Sequence, residues 1–367
     1  MEAADYIVVG AGLTGATIAR NLHDSGREVI VIDRRHHLGG NVYDHIHPSG
    51  IRIHTYGPHY FRTSSERIWE FATRFSDFYT YEASLLTKVD GELVPWPLWK
   101  SWIDKKIGPK WKPEFGGVPS NFEEAALSLM PRFIYDRFVK EYNEKQWGVP
   151  AASLDSSLCK RFDVRNIDEP RLKPDARFQG IPVKGYSGWT AAILDGIPAR
   201  LGIDFLQVKE DLKAKRKLIF TGPIDEFFGF DIGKLKYRGQ KRCHEYFPNS
   251  KQCQPVGQIN TPQHRDGNSI RRLEWIHMMD HKEKQGIHGT VCTTETPFSP
   301  SEPNEFEYPF PDQLNNALYS EYRKKAGFLS GAIICGRLGE YRYYDMDQAI
   351  GRAMRIADVL LSHEKVL

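Results

Sequence analysis

The chain has 367 residues, 40% hydrophobic and 26% charged, a composition that supports a large buried core and excludes disordered and collagen-like chains. Fifty Lys and Arg against 47 Asp and Glu leave a net charge of +3. That is too little for a general polyanion-binding surface, so anion recognition is expected to be local and nucleic acid is not an expected partner. No apolar run reaches the about 18 residues needed to cross a bilayer. The N-terminal run Tyr6–Ala19 is broken by three glycines and preceded by Glu2 and Asp5, not by the basic flank of a signal peptide. The expectation is no membrane insertion and a cytoplasmic protein of two or three domains.

Tyr6-Ile-Val-Val9 reads as a strand, Gly10-Ala-Gly12-Leu13-Thr14-Gly15 as a tight turn, and Ala16–Leu22 as a helix; a second strand, Glu28–Ile32, stops at Asp33. This is the spacing of a βαβ dinucleotide-binding unit. The glycines allow a bend, close approach of a pyrophosphate and close helix packing, and the helix start offers free N–H groups. Asp33 suits a ribose hydroxyl and disfavours a 2′-phosphate, hence NADP. Arg34-Arg35 and the second glycine turn Leu38-Gly39-Gly40-Asn41 follow, an extension that many FAD proteins share.

Glu66–Phe78, Asn121–Met130 and Pro131–Lys145 read as helices, with Asn121 as an N-cap, and Pro95–Pro119 as loop with short helical pieces. Ala151–Pro182 reads as an irregular connection. Ile203–Val208, Lys217–Thr221, Leu235–Tyr237, Val256–Ile259, Ser269–Ile276 and Thr290–Thr294 read as strands without long intervening helices, which predicts an antiparallel sheet. Ala332–Cys335 reads as a strand and Met346–Leu361 as an amphipathic helix. The dipole of that helix would favour negative charge on a reduced flavin near Asp345-Met346 and Gly336-Arg337. The basic runs Lys213–Lys217 and Lys234–Arg242 are expected to be solvated edges or dimer-facing surface. Five cysteines without a CxxC pair point to reduced, mostly buried thiols. His45 with His47 and His277 with His281 lack a completing carboxylate or cysteine, so no metal is expected.

Further blocks carry a resemblance: Gly57-Pro-His59-Tyr-Phe-Arg62-Thr63, Glu144-Lys-Gln-Trp147-Gly148, Gln179-Gly-Ile-Pro-Val183, Leu201–Leu206, Thr221-Gly-Pro-Ile-Asp225 and Glu340-Tyr-Arg-Tyr343-Tyr-Asp345-Met346. With the two glycine motifs they run from about Tyr6 to about Leu360 and resemble the bacterial UDP-galactopyranose mutases. The resemblance implies an α/β fold: a Rossmann-like FAD domain (1–74, 185–222 and 328–367), a helical domain (75–165, with a mobile loop at about 155–180) and an antiparallel β-sheet domain (223–327). It implies an isomerase that interconverts the pyranose and furanose forms of UDP-galactose without net redox change. N5 of reduced FAD attacks the anomeric carbon and displaces UDP, the sugar recloses through another hydroxyl, and UDP returns.

The same resemblance assigns roles. Arg161 and Arg271 clamp the diphosphate, as guanidinium groups suit phosphate oxygens. Tyr142 lies under the uracil and Trp147 beside the sugar. Tyr308, Tyr343, Asp345 and Glu295 complete the substrate site, and Arg337 sits by the flavin with Gly40, Asn41, Asp345 and Met346. His59 is retained, but Arg62 stands where the family has histidine. This longer, permanently charged residue admits a 2-substituted sugar such as UDP-N-acetylgalactosamine as the alternative substrate. An amine-oxidase-like FAD oxidoreductase is the alternative reaction class. An external reductant such as NAD(P)H or a reductase, and a homo-oligomer, with a dimer favoured, are the implied partners.

Overall fold

The structure, a computed structural model, describes residues 2–162 and 164–364, and the side chains at 2, 160, 161, 363 and 364 lie outside the description. Apolar, β-branched residues make Val29–Asp33 a strand that is buried along its whole length, as a strand covered on both faces must be. It is part of a five-stranded parallel sheet in the order Ala199–Leu201, Val29–Asp33, Glu2–Val9, Leu212–Phe220, Ala332–Ile334. The helix Leu13–Asp24 crosses one face and packs through Ala16, Ala19 and Leu22 into the same core as Ile350, Ala353 and Ile356 of the helix Met346–Glu364. The C-terminal helix therefore returns to the N-terminal domain.

The expected strand Ile203–Val208 is absent. The strand is Ala199–Leu201, and Asp204 then caps a short helix, Phe205–Val208, by accepting the Leu206 amide at 3.0 Å. A local capping bond here outweighs the β-branched pattern. The helix expected over Glu66–Phe78 ends at Thr73, because Phe78–Tyr79 pairs with Phe178–Pro182 in a small antiparallel sheet. Phe61–Thr63 lies on the other edge of Phe178–Pro182 and places Arg62 opposite Gln179.

A seven-stranded sheet runs in the order Tyr308–Pro309, Tyr237–Phe247, Thr290–Phe298, Arg271–Glu274, Gln258–Asn260, Leu85–Val89, Glu92–Trp96. It is antiparallel except where Gln258–Asn260 runs parallel to Leu85–Val89. The hairpin Leu85–Trp96 falls within the span expected as the helical domain, 75–165, and instead extends the sheet. Of Leu235–Tyr237, expected as a short strand, only Tyr237 is in a strand, the first residue of the eleven-residue Tyr237–Phe247.

Against this sheet lie Phe122–Leu127 and a helical run from Arg132 to Trp147 with a π-helical stretch at Tyr135–Lys140. Asn121 caps the first of these, its side chain accepting the Glu124 amide at 3.0 Å. Phe122, Met130, Ile134, Phe138 and Val139 form a separate apolar core. Among the described residues no helix is long and apolar enough to cross a membrane.

Candidate active site

The parallel sheet ends at a narrow cleft of 190 Å³ whose lining includes Gly10, Gly12, Leu13, Thr14, Gly15, Asp33, Gly40 and Asn41. Gly10 has φ +105°, and a Cβ there would lie 2.0 Å from Thr221 Oγ1; one on Gly15 would lie 1.9 Å from the Gly10 carbonyl oxygen. The turn thus requires glycine, and it keeps side chains out of the space where a pyrophosphate would approach. Asp33 ends its strand with one carboxylate oxygen accepting the Ala11 amide at 2.7 Å and the other the Arg35 amide at 2.8 Å. These bonds hold the carboxylate in the cleft wall, with acceptor capacity left for a ribose hydroxyl. Arg34 also lines the cleft, but its guanidinium is engaged bidentately by Glu226 at 2.8 Å. Arg35 bonds Asn41 at 2.8 Å and lies over the Tyr56 ring.

A second cavity of 710 Å³ opens beside the first. Asn41, His59, Arg337 and Met346 line both. The shared wall joins the glycine-lined cleft to a chamber whose volume falls within the range of small-molecule sites. His59 is half-buried, and its buried Nδ1 has no hydrogen-bond partner. Burial, with His54 and Arg337 nearby, holds its pKa well below the usual histidine value, so the ring is neutral at neutral pH.

Tyr142 and Trp147 reach the larger cavity from the helix Glu141–Trp147, which ends at Gly148. Trp147 packs edge-on against Phe310. Buried cations fix this helix. Lys145 Nζ donates to the carbonyls of Thr261, Gln263 and Ser269 at 3.0, 2.6 and 3.2 Å. Arg238 donates to the carbonyls of Gln146 and Lys145 at the helix C-terminus, where positive charge suits the dipole.

Opposite, Arg271 projects into the cavity, while its neighbour Arg272 reaches the Glu245 carboxylate at 3.6 Å, as alternation along a strand requires. Arg271 bonds Glu295, whose other oxygen accepts from Arg242 at 2.8 Å; Arg242 in turn grips Glu307 bidentately at 2.7 and 2.9 Å. Two arginines and two glutamates so form a neutral, nearly solvent-free chain. Burial opposes the charge on Arg271, but Glu295 outweighs it and holds the pKa above the ordinary arginine value. For Glu295 burial acts upward, and Arg271 and Arg242 together hold the carboxylate below its usual range. Gly57 makes room for the chain: at φ +96°, a Cβ there would lie 3.0 Å from Glu295 Oε1 and 3.2 Å from both guanidiniums.

Tyr308 and Tyr343 stack at 6.1 Å with Arg337 above them. Burial, with Glu307 adding to it, pushes the Tyr308 phenol up to about 12, which keeps it a neutral hydrogen-bond donor. Asp345, just before the helix Met346–Glu364, accepts from Tyr343 at 3.2 Å and pairs with Arg62 at 3.3 Å.

Tyr142, Trp147, Arg271, Tyr308, Tyr343, Asp345, His59, Arg62 and Arg337 therefore converge on one chamber. Asp345, expected at the cofactor as well as the substrate, lines only the larger cavity. Glu295, expected to meet substrate, lies behind Arg271 instead, fully buried with both oxygens taken by arginines. The side chain of Arg161 lies outside the described residues. The run Lys234–Arg242 is not a solvated edge at its centre: Arg238 is 5% exposed and the Arg242 side chain 8%. Arg242, Glu307 and Lys145 went unnoticed in the sequence. The available signal was the alternation Arg238-Gln240-Arg242-His244, polar at every second residue as on one face of a strand.

Compared with known proteins, residues 137–343 match the family model "UDP-galactopyranose mutase", and residues 8–75 match an NAD(P)-binding Rossmann-like domain. This chain belongs to the UDP-galactopyranose mutase family. A probable UDP-galactopyranose mutase of Klebsiella pneumoniae is 31% identical, with 99% of this chain and 96% of that protein aligned. A dTDP-fucopyranose mutase of Escherichia coli is 29% identical over 98% and 99%. A crystal structure of reduced UDP-galactopyranose mutase shares the fold at TM-score 0.75 and 16% identity, covering 98% of this chain and 96% of that one. Membership in the family makes the chain an isomerase with a Rossmann-like nucleotide-binding domain.

Proposed function

We propose that the chain binds FAD in the glycine-lined cleft and, with the flavin reduced, interconverts the pyranose and furanose forms of a UDP-sugar in the adjoining cavity. The observation that carries this reading is the wall of Asn41, His59, Arg337 and Met346 common to both spaces, which sets a ring in the cleft against a sugar in the chamber. The residues present suit a flavin dinucleotide: the turn at Gly10–Gly15 keeps the cleft clear, Asp33 offers a ribose acceptor, and the buried Nδ1 of His59 lacks a partner at the junction. When bound and reduced, the flavin would supply N5 as the nucleophile toward the anomeric carbon, with no net redox change.

The protein's part is to hold the leaving diphosphate for its return. Arg271 keeps its charge at any relevant pH, and Glu295 orients it from behind, leaving its outer N–H groups to face phosphate oxygens. Tyr308 donates as a neutral phenol, Tyr343 stacks with it, and Arg161 is proposed to complete the clamp. Tyr142 offers a face to the uracil and Trp147 one to the sugar. The overall architecture also suits flavin oxidoreductases. An amine substrate, however, would meet the guanidiniums of Arg271 and Arg337 in this chamber, donors that suit an anion rather than an ammonium group.

The sugar is UDP-galactose or a 2-substituted relative such as UDP-N-acetylgalactosamine. The Arg62–Asp345 pair supports the second, because it puts a rigid donor fork at the cavity wall. Assaying dithionite-reduced enzyme on both nucleotide sugars side by side decides between them. Ring contraction of either supports the reaction class; turnover of neither, in protein that carries flavin, overturns it.

A further inference from the structure

We propose that Cys253 and Cys292 are a redox modification site, a thiol pair that closes to a disulfide by exchange with a small-molecule disulfide. The inference does not depend on the reading of the active site. Cys292 lies on the strand Thr290–Phe298 and is 1% exposed, whereas Cys253 is exposed in the loop between Phe247 and Gln258. Their sulfurs and a Glu274 oxygen all lie within 4.8 Å of one another. The register sets Cys292 directly opposite Glu274 on the neighbouring strand.

Two sulfurs and a carboxylate suggest a metal, but the carboxylate is already spent. One Glu274 oxygen accepts the Cys253 amide at 2.7 Å and the Thr290 hydroxyl at 2.8 Å; the other accepts the Gln254 amide at 2.8 Å and faces His277 Nε2 at 3.1 Å. His277 Nε2 also faces the Gln254 carbonyl at 2.9 Å, so it carries the proton and is a donor, not a ligand. Glu274 instead acts as a clamp: it pins the backbone of residues 253 and 254 to the sheet and holds the Cys253 thiol beside Cys292. The two sulfurs are left as the reactive atoms of the cluster.

The exposed thiol reacts first. The Cys253 thiolate attacks one sulfur of a disulfide such as oxidised glutathione and expels one glutathione thiolate. Cys292 then loses its proton to the released thiolate and attacks the Cys253 sulfur, expelling the second glutathione. Two protein thiols are oxidised and one small disulfide is reduced to two thiols. Burial pushes the Cys292 thiol up to about 12, so it is unreactive toward solution reagents by itself and acts only as the resolving partner. Cys292 stands three residues before Glu295, so the bond would staple the strand that carries Glu295 of the buried ion chain to the adjacent loop.

The test exposes the full-length flavin-loaded protein to oxidised glutathione, alkylates the remaining thiols, and maps peptides by mass spectrometry. The expected product has lost two hydrogens, carries a Cys253–Cys292 linked peptide, and reverts with dithiothreitol. Cys253→Ser and Cys292→Ser each abolish the link, whereas Cys243→Ser keeps it. Should Cys292→Ser fail to fold, Cys253→Ser alone supplies the control. A Cys243-containing link, a glutathione adduct on Cys253 that does not resolve, or no loss of hydrogens would overturn the proposal.

Discussion

Arg242 lines neither the glycine-lined cleft nor the adjoining chamber, yet it separates two buried carboxylates that would otherwise repel. Glu295 is fully buried and the Glu307 side chain is 6% exposed, so removing their shared cation leaves uncompensated charge in a dry site. Breaking such a pair costs about 3–5 kcal/mol. Arg242→Ala is therefore expected to lower the urea midpoint sharply, and also to lower kcat, because Glu295 would then pull Arg271 away from the proposed diphosphate position. An Arg242→Ala protein as stable as the parent would contradict the role. At the cavity wall, Arg62→His should shift preference toward the unsubstituted sugar. An unchanged ratio of activity on UDP-galactose and UDP-N-acetylgalactosamine would refute that role.

At the level of elements, the strand–turn–helix of residues 2–24 was legible because its signals are consecutive: a β-branched run, three spaced glycines, then an apolar helix. Gly10→Ala tests this directly. Its Cβ would meet Thr221 Oγ1 at 2.0 Å in a left-handed backbone, so the variant is expected to purify without yellow colour while Gly116→Ala, where the space is open and the backbone is not left-handed, keeps it. The placement of Arg271 on a strand was legible for the same local reason. The ion chain was not, since it needs Arg242, Arg271 and Glu295 from three strands and Glu307 from the segment just before a fourth, whose register no local pattern specifies. The helix at Phe205–Val208 escaped because an Asp cap decided between two patterns that both suited apolar residues. A pH dependence also belongs to this scale. Burial lowers the pKa of His54 from 6.5 to about 4 and holds His59 well below 6.5. Both are neutral in the fold and take up protons on unfolding, so they contribute stability that is present above 6.5 and lost as pH falls below it. Glu295, depressed below 4.5, adds a further loss below that value. The urea midpoint should thus fall from neutral pH to pH about 5, and less steeply in His54→Asn; a flat profile would contradict the neutral histidine pair.

For the whole molecule, the parallel sheet supplies the dinucleotide cleft, the seven-stranded sheet supplies Arg271 and its ion chain, and the helical layer supplies Tyr142 and Trp147. The chamber exists only where the three meet, so the reaction depends on their relative placement rather than on one motif. In the function proposed above, a reduced flavin in the cleft acts on a sugar nucleotide held in the chamber. The most direct test incubates the same flavin-loaded protein with UDP-galactose and with UDP-N-acetylgalactosamine, without air, once oxidised and once reduced by dithionite. Chromatography then resolves the two ring forms of each sugar. The furanose form of at least one substrate is expected to appear only with the reduced enzyme. Equal conversion by the oxidised enzyme, or none by either form, would contradict it.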